Sequence, residues 1–200
     1  MKKVVFTIIM VLVFAFGANA QVPTVPSPFS FYGGGAVSIP ASPDGFDATY
    51  KTGWHGMAGV GYKIAPKFQV IGKLEYHNFG TDLDALALSG GNEKYAMFGA
   101  DTKFTPNLPS IPFSPFVFGG VGMAHIAFDD FTSDTDPLSA SVMNAAIPDA
   151  QNKLYWNFGA GFDVKAGKVW SLFVQGRYVS VATEGESTTF IPFTVGLKFF

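Results

Sequence analysis

From Ile191 onward the chain alternates, with Ile191, Phe193, Val195, Leu197 and Phe199 large and apolar and Pro192, Thr194, Gly196 and Lys198 between them small or polar. A period of two puts the two sets on opposite faces of a strand. The pattern recurs upstream. Phe68, Val70, Gly72, Leu74 and Tyr76 oppose Gln69, Lys73, Glu75 and His77, with Ile71 as the exception. Leu154, Trp156, Phe158, Ala160, Phe162 and Val164 oppose Tyr155, Asn157, Gly159, Gly161, Asp163 and Lys165, and Leu172, Val174, Gly176 and Tyr178 oppose Gln175 and Arg177. In all, eight strand-like segments are expected: Phe29 to Ile39, Gly53 to Ile64, Phe68 to Phe79, Glu93 to Phe104, Phe113 to Phe128, Leu154 to Lys165, Ser171 to Thr183 and Thr189 to Phe200. The fifth shows no clear division of faces, and no segment reads as a long helix.

The joints between segments alternate in length. Short ones follow the second, fourth and sixth segments (Ala65 to Lys67, Asn107 to Pro112, Ala166 to Val169), and longer polar ones follow the first, third, fifth and seventh (Pro40 to Thr52, Gly80 to Asn92, Asp129 to Lys153, Glu184 to Thr188). Short turns at one end and long loops at the other are the mark of an up-and-down barrel, and an even strand number puts both termini at the short-turn end. An apolar strand at the chain end needs its edge covered, and pairing the last strand with the first achieves that. The expected fold is all-β: a closed eight-stranded antiparallel up-and-down transmembrane β-barrel over residues 29–200.

Which face looks outward separates a membrane barrel from a soluble ligand-carrying one, because both alternate. The polar face here is mostly Gly, Asn and Ser with isolated charges, which suits a narrow packed interior better than a surface in water. Composition agrees, with 48% hydrophobic residues, 16% aromatic and only 14% charged, against roughly 25% charged in an ordinary globular domain. Trp54 and Tyr62, Phe68 and Tyr76, and Trp170 and Tyr178 are each eight positions apart on one face. At ~3.3 Å per residue and a tilt of ~40° such a spacing covers roughly 20 Å, close to the apolar band between two aromatic girdles. With Trp156 they form the expected girdle, since indole and phenol rings favour the headgroup level.

The amino terminus adds a destination. Lys2 and Lys3, an apolar run from Val4 to Phe16 and then Ala18-Asn19-Ala20 form a secretory signal, residues 1–20, with a small-residue cleavage site. A Pro-rich periplasmic leader follows over 21–28. The chain has no cysteine, which excludes a lipoprotein anchor and a disulfide framework. Loss of Lys2 and Lys3 with the signal leaves 11 basic against 15 acidic residues, a net charge of -4. Nucleic acid is thereby disfavoured as a partner.

TVGLKFF at the end, WNFGAGFDVK (Trp156 to Lys165), QGRYV (Gln175 to Val179) and FGADTKF (Phe98 to Phe104) together resemble the eight-stranded outer-membrane barrel family of the OmpA and OmpX kind, over essentially the whole mature chain. The resemblance implies a bacterial outer-membrane location, contact with membrane lipid and lipopolysaccharide, and a monomer without a cofactor. It also implies that the barrel-assembly machinery reads the final strand, here Phe193, Val195, Leu197, Phe199 and Phe200, of which Phe200 is one residue out of phase. No further domain is expected after the barrel.

Charges suggest what the barrel holds. Glu75, Asp101 and Asp163 are expected on the inner face with Lys73 and Arg177, as an ionic plug centred on Arg177. An eight-stranded barrel has room for side chains but hardly for a channel, and charges there must pair. The other twelve acids, including Asp44, Asp47, Glu93, Asp130, Glu184 and Glu186, fall in or beside the long loops, while Lys63, Lys67, Lys103, Lys165, Lys168 and Lys198 fall near the short turns. The acidic end has two readings, loops kept soluble by charge or loops holding divalent cations. Asp129, Asp130, Asp134 and Asp136 offer a weak metal site that lacks the Gly and final Glu of a calcium loop. After them Pro137, Leu138, Val142, Met143, Ala146 and Ile147 have the spacing of a short helix that caps the rim. A lipid-A deacylase of this size carries a His-x-Ser pair facing lipid, and none of His55, His77 or His125 has a serine two places on. No catalytic residue is assigned, and the expected role is structural or surface-interacting through the loops. Narrow porin-like passage of small solutes is the alternative, and lipid-A modification a second.

Overall fold

The structure is a computed structural model and describes residues 27–81, 89–108, 111–133 and 137–200. The proposed signal and most of the Pro-rich leader lie outside the described residues. Eight long antiparallel strands close on themselves: β1 (Phe29–Ser42), β2 (Gly53–Ala65), β3 (Phe68–Phe79), β5 (Glu93–Phe104), β6 (Phe113–Phe128), β8 (Gln151–Lys165), β9 (Trp170–Val181) and β10 (Thr188–Phe199). Each pairs with its neighbour in sequence, and β10 closes on β1 with Phe31 opposite Phe199 and Ile39 opposite Ile191. The edge that the terminal strand would otherwise expose is therefore consumed, as hydrocarbon requires of every backbone group.

Apolar positions of the alternating strands face out. Phe193 is 48% exposed and Val195 52%, while Thr194 between them is fully buried. The outer wall is a continuous band of Phe, Val, Leu and Trp that water would not tolerate at this size. The aromatic residues of the expected girdle all lie on it: Trp54, Tyr62, Phe68, Tyr76 and Trp156 are exposed, and Trp170 and Tyr178 half-buried. They gather in two groups. Trp54 meets Tyr76, and Trp156 meets Tyr178, with 5.6 Å between ring centroids in each pair, toward the loop end. At the other end Phe29 meets Tyr62 at 5.1 Å and Phe68 meets Phe104 at 5.0 Å.

Several expectations are corrected. In β6, whose faces are unclear in sequence, Phe116, Phe118, Ala124 and Ile126 point inward and Val117, Val121 and Met123 outward. Both faces are apolar, so hydropathy alone could not separate them. The segment after β1 is not a simple polar loop: the strand runs on to Ser42 and a short helix α1 (Asp44–Thr49) follows, driven by burial of Phe46 against Phe79 in the barrel mouth. Two long loops also pair through a small sheet, β4 (Ser89–Gly90) with β7 (Phe131–Thr132), which two-residue strands give no periodicity to reveal. The expected loop helix forms as α2 (Pro137–Ala145), but Leu138 and Val142 are exposed and Ala140 is the buried member, so its apolar side does not cap the rim. Phe200 lies beyond β10, its backbone N–H donating to the Val169 carbonyl at 3.1 Å across the turn end.

Candidate functional site

Strand β3 places Lys73, Glu75 and His77 on successive inward positions, and β5, β8 and β9 bring Asp101, Asn157 and Arg177 to meet them. The Arg177 guanidinium grips the Glu75 carboxylate with two nitrogens, Nη1 to Oε2 at 2.8 Å and Nη2 to Oε1 at 2.5 Å. Lys73 Nζ lies 3.4 Å from Glu75 Oε2 and 2.7 Å from Asp101 Oδ2. Asn157 Nδ2 donates to Asp101 Oδ1 at 3.0 Å. Two cations and two anions thus form one buried neutral group, which limits the desolvation cost of placing them there. Arg177 Nε, the Tyr155 hydroxyl and Asn157 Oδ1 are buried without a hydrogen-bond partner among the described residues.

Glycines make the room. A Cβ on inward-facing Gly159 would lie 2.6 Å from the Arg177 Cβ and 2.7 Å from the Phe118 ring, so neither side chain could keep its place against any larger residue. The Gly, Asn and Ser bias of the inner face is the counterpart of the large side chains that cross the lumen from the opposite wall.

Asp163 does not join the Arg177 group. It binds Lys103 Nζ at 2.9 and 3.1 Å and Lys198 Nζ at 3.2 Å, forming a second cluster toward the short-turn end. Lys103 also lies 3.4 Å above the Phe116 ring. Beside it the Tyr32 hydroxyl donates to Gln69 Oε1 at 2.6 Å, and Gln69 Nε2 donates to Ser30 Oγ at 3.1 Å. In sequence Lys103 and Lys198 are placed near the short turns and not in the inward charge set. Their phase was the missed signal, since Lys103 is two residues from Asp101 and Lys198 alternates with Leu197 and Phe199.

Above the Arg177 group sits a layer of hydroxyl and imidazole side chains. Ser38 Oγ lies 2.8 Å from His77 Nδ1 and 3.1 Å from His55 Nδ1, and His55 Nε2 lies 2.9 Å from Thr194 Oγ1. One hydroxyl proton can serve only one ring, so the other ring must carry its proton on Nδ1 and donate it to Ser38. The rings stack at 5.0 Å.

The lumen then turns apolar, where the sequence expectation is of an inner face mostly of Gly, Asn and Ser with isolated charges. Phe79, Tyr95, Phe190, Val179 and Val181 are fully buried and pack with Phe46 of α1 into an aromatic seal just under the loops. Phe190 stands 5.3 Å from both Phe79 and Tyr95. Glu93, read from sequence as a rim charge, is buried here and accepts from the Tyr95 hydroxyl at 2.6 Å.

At the rim, Asp129 pairs with Lys94, and Glu184 with Lys153 at 2.9 Å. The Lys153 ammonium holds the exposed Glu184 carboxyl below its usual range. Asp44, Asp47, Asp130, Asp149 and Glu186 are exposed. Of the weak metal candidates, Asp134 and Asp136 lie outside the described residues, and no group of three metal-ligating side chains occurs among the described ones. His125 faces outward at the lipid wall, with Nδ1 2.9 Å from Asn152 Oδ1. A shallow depression lined by Phe31, Ala58, Val60, Leu74, Phe98 and Ala100 lies on the lipid-facing wall.

Comparison with known proteins agrees with this geometry. The family model described as outer membrane protein beta-barrel domain matches residues 8–199. No curated protein sequence matches the chain. Among solved structures it is similar to Neisserial surface protein A, at 14% identity and a TM-score of 0.62, with 86% of this chain and 97% of that one covered. It is also similar to OprG of Pseudomonas aeruginosa, at 16% identity and a TM-score of 0.57 over 86% and 94% of the two chains. The attachment invasion locus protein Ail of Yersinia pestis aligns at 18% identity and a TM-score of 0.50 over 86% and 97%. A further structure of Ail holds the heparin analogue sucrose octasulfate.

Proposed function

Since the chain belongs to the outer membrane protein β-barrel family and is a protein of the bacterial outer membrane, we propose that its barrel is a closed, non-enzymatic support for extracellular loops that interact with other surfaces. The N-terminal signal directs export and is cleaved after Ala20, and the final strand, Phe193 to Phe200, serves as the assembly signal. The folded protein is a monomer without a cofactor, in contact with phospholipid and lipopolysaccharide. One observation carries the reading: the lumen is filled in layers, with the Lys73, Glu75, Asp101 and Arg177 group beneath an aromatic seal of Phe79, Tyr95 and Phe190. A conduit would require both layers to open. A rigid plugged barrel with loops longer than its turns leaves the loops as the place where binding occurs.

Ail, by its name, takes part in attachment, and a surface role for this chain parallels it. The ligand differs in kind. Exposed Asp44, Asp47, Asp130, Asp149 and Glu186 make the loop end acidic, which disfavours a sulfated polyanion of the sort that Ail holds. Planar-bilayer recording of the refolded protein tests the plug: no steady conductance is expected, and large stable openings would replace this reading with solute passage. The unpartnered Arg177 Nε, Tyr155 hydroxyl and Asn157 Oδ1 are the features that favour that second reading, because they leave polar groups for water to visit.

A further inference from the structure

Helix α2 is held at the loop end by its inner side. Ala140 is buried, and the Asn144 side chain clamps β7 in the manner of an added strand: its Oδ1 accepts from the Phe131 backbone N–H at 2.6 Å and its Nδ2 donates to the Phe131 carbonyl at 3.0 Å. Because β7 pairs with β4, the helix is tied to a second loop as well as to its own. The helix stops with Ala146 N–H donating to the Met143 carbonyl and Ile147 N–H to that of Asn144, at 3.0 and 3.2 Å.

The opposite side is apolar and uncovered. Leu138 is 75% exposed and Val142 64%, four residues apart and so on one face, with exposed Ala145 continuing the stripe. An anchored helix does not need these side chains for its own stability. No basic residue occurs in α2, and the exposed acids Asp130 and Asp149 stand on the segments that lead into and out of it. Two of the loop-end lysines, Lys94 and Lys153, pair with Asp129 and Glu184. The helix thus presents an exposed apolar strip flanked along the chain by two exposed acids.

We propose that this face of α2 docks a cationic amphipathic peptide segment, whose apolar side covers Leu138 and Val142 and whose Lys or Arg residues meet Asp130 and Asp149. The inference rests on the surface-interaction reading above and names the chemistry of its partner. Complementary charge steers the encounter and the apolar strip provides most of the hold.

The test uses the whole protein in zwitterionic nanodiscs and a fluorescently labelled amphipathic helix made only of Lys and Leu, read by anisotropy against empty discs. The wild-type discs should bind the peptide above the empty-disc level. Leu138→Asp with Val142→Asp should weaken this excess by about tenfold or more, while heat-modified electrophoretic mobility, which reports the closed barrel, stays unchanged. Asp130→Asn with Asp149→Asn should weaken it several-fold and flatten its salt dependence. Binding equal to empty discs, or unaffected by the Leu138 and Val142 changes, overturns the proposal. So does a Leu138→Trp variant whose emission, without peptide, is quenched by brominated lipid, because the strip then lies in the bilayer. Peptide-independent pairing of discs would likewise overturn it by showing a second copy as the occupant. Steady bilayer conductance with peptide binding intact would sink the plugged-barrel reading and leave this one standing.

Discussion

Replacing Glu75 by glutamine tests whether the lumen is organised as a coupled ionic group. The carboxylate is wholly buried and touches Arg177 through both oxygens, at 2.5 and 2.8 Å, and Lys73 at 3.4 Å. Glutamine keeps the shape and one acceptor but removes the charge, leaving Arg177 and Lys73 to share the single anion Asp101. Breaking a buried pair from one side costs about 3–5 kcal/mol, and none of that is offset by solvent at this depth. Arg177→Met alone should cost a similar amount, because it strands Glu75 beside Lys73 only. The two together leave Lys73 and Asp101 as an intact pair at 2.7 Å, so the double variant should lie within about 1–2 kcal/mol of wild type, and the coupling energy should exceed about 2 kcal/mol. Urea unfolding of protein folded into phospholipid vesicles, followed by tryptophan fluorescence and by mobility without boiling, measures all three. Additive single costs would refute the coupling and reduce these contacts to independent ones.

Other expectations follow from the same geometry. Val195→Arg, at the middle of β10 on the lipid face, should destabilise the barrel by about 2–4 kcal/mol in vesicles; an unchanged urea midpoint would contradict the outward assignment. Gly159→Leu should prevent folding or cost at least ~1–3 kcal/mol, because the added side chain enters the space of Arg177 and Phe118; heat-modifiable folding at wild-type stability would count against the packed lumen. Asn144→Ala should leave barrel stability within about 1 kcal/mol while raising amide exchange and protease sensitivity in α2, since its two bonds hold only the loop; exchange at the wild-type rate would mean that something else anchors the helix.

How much of this could be read in the sequence depends on whether each position's chemistry differs from its neighbours'. In β3, β8, β9 and β10 polar and apolar residues alternate, so the faces and the inward residues Lys73, Glu75 and Arg177 follow from period two, while β8 starts three residues earlier than the pattern suggests and β9 ends two residues earlier. In β6 both faces are apolar and the signal vanishes. The aromatic seal escaped for a related reason: Val179, Val181 and Phe190 keep the inward phase of their strands but share the chemistry of the lipid wall. Partner choice was equally hidden. Asp163 and Arg177 are both inward charges, yet which cation meets Asp163 depends on height along the barrel, set by the pairing of Asp163 with Ser114 on β6 and Phe173 on β9. The β4–β7 pair and the Asn144 clamp are contacts between separate loops, for which no local pattern exists.

On the plugged-barrel proposal, the order of the lumen layers gives the aromatic seal and the ionic group different parts in closure. Ionic groups alone are a weak barrier to water and ions, because a charged lining can exchange its internal partners for hydration at modest cost if the interior is wet. Hydrocarbon and aromatic rings offer no such exchange, so a dry seal blocks even where the layer beneath is hydrated. Phe79, Tyr95 and Phe190 lie on the loop side of the Arg177 group, with Phe46 of α1 packed on them from outside the strands. The polar groups therefore face the periplasmic end and the seal faces the surroundings. Moving α1 would loosen the seal without breaking an ion pair, whereas changing Arg177 would disturb the ionic layer and leave the seal in place. Among the described residues Phe46, Tyr50 and Phe128 pack against the seal from the loop end, so a loop movement that displaces Phe46 would loosen the seal while leaving the Arg177 ion pairs in place.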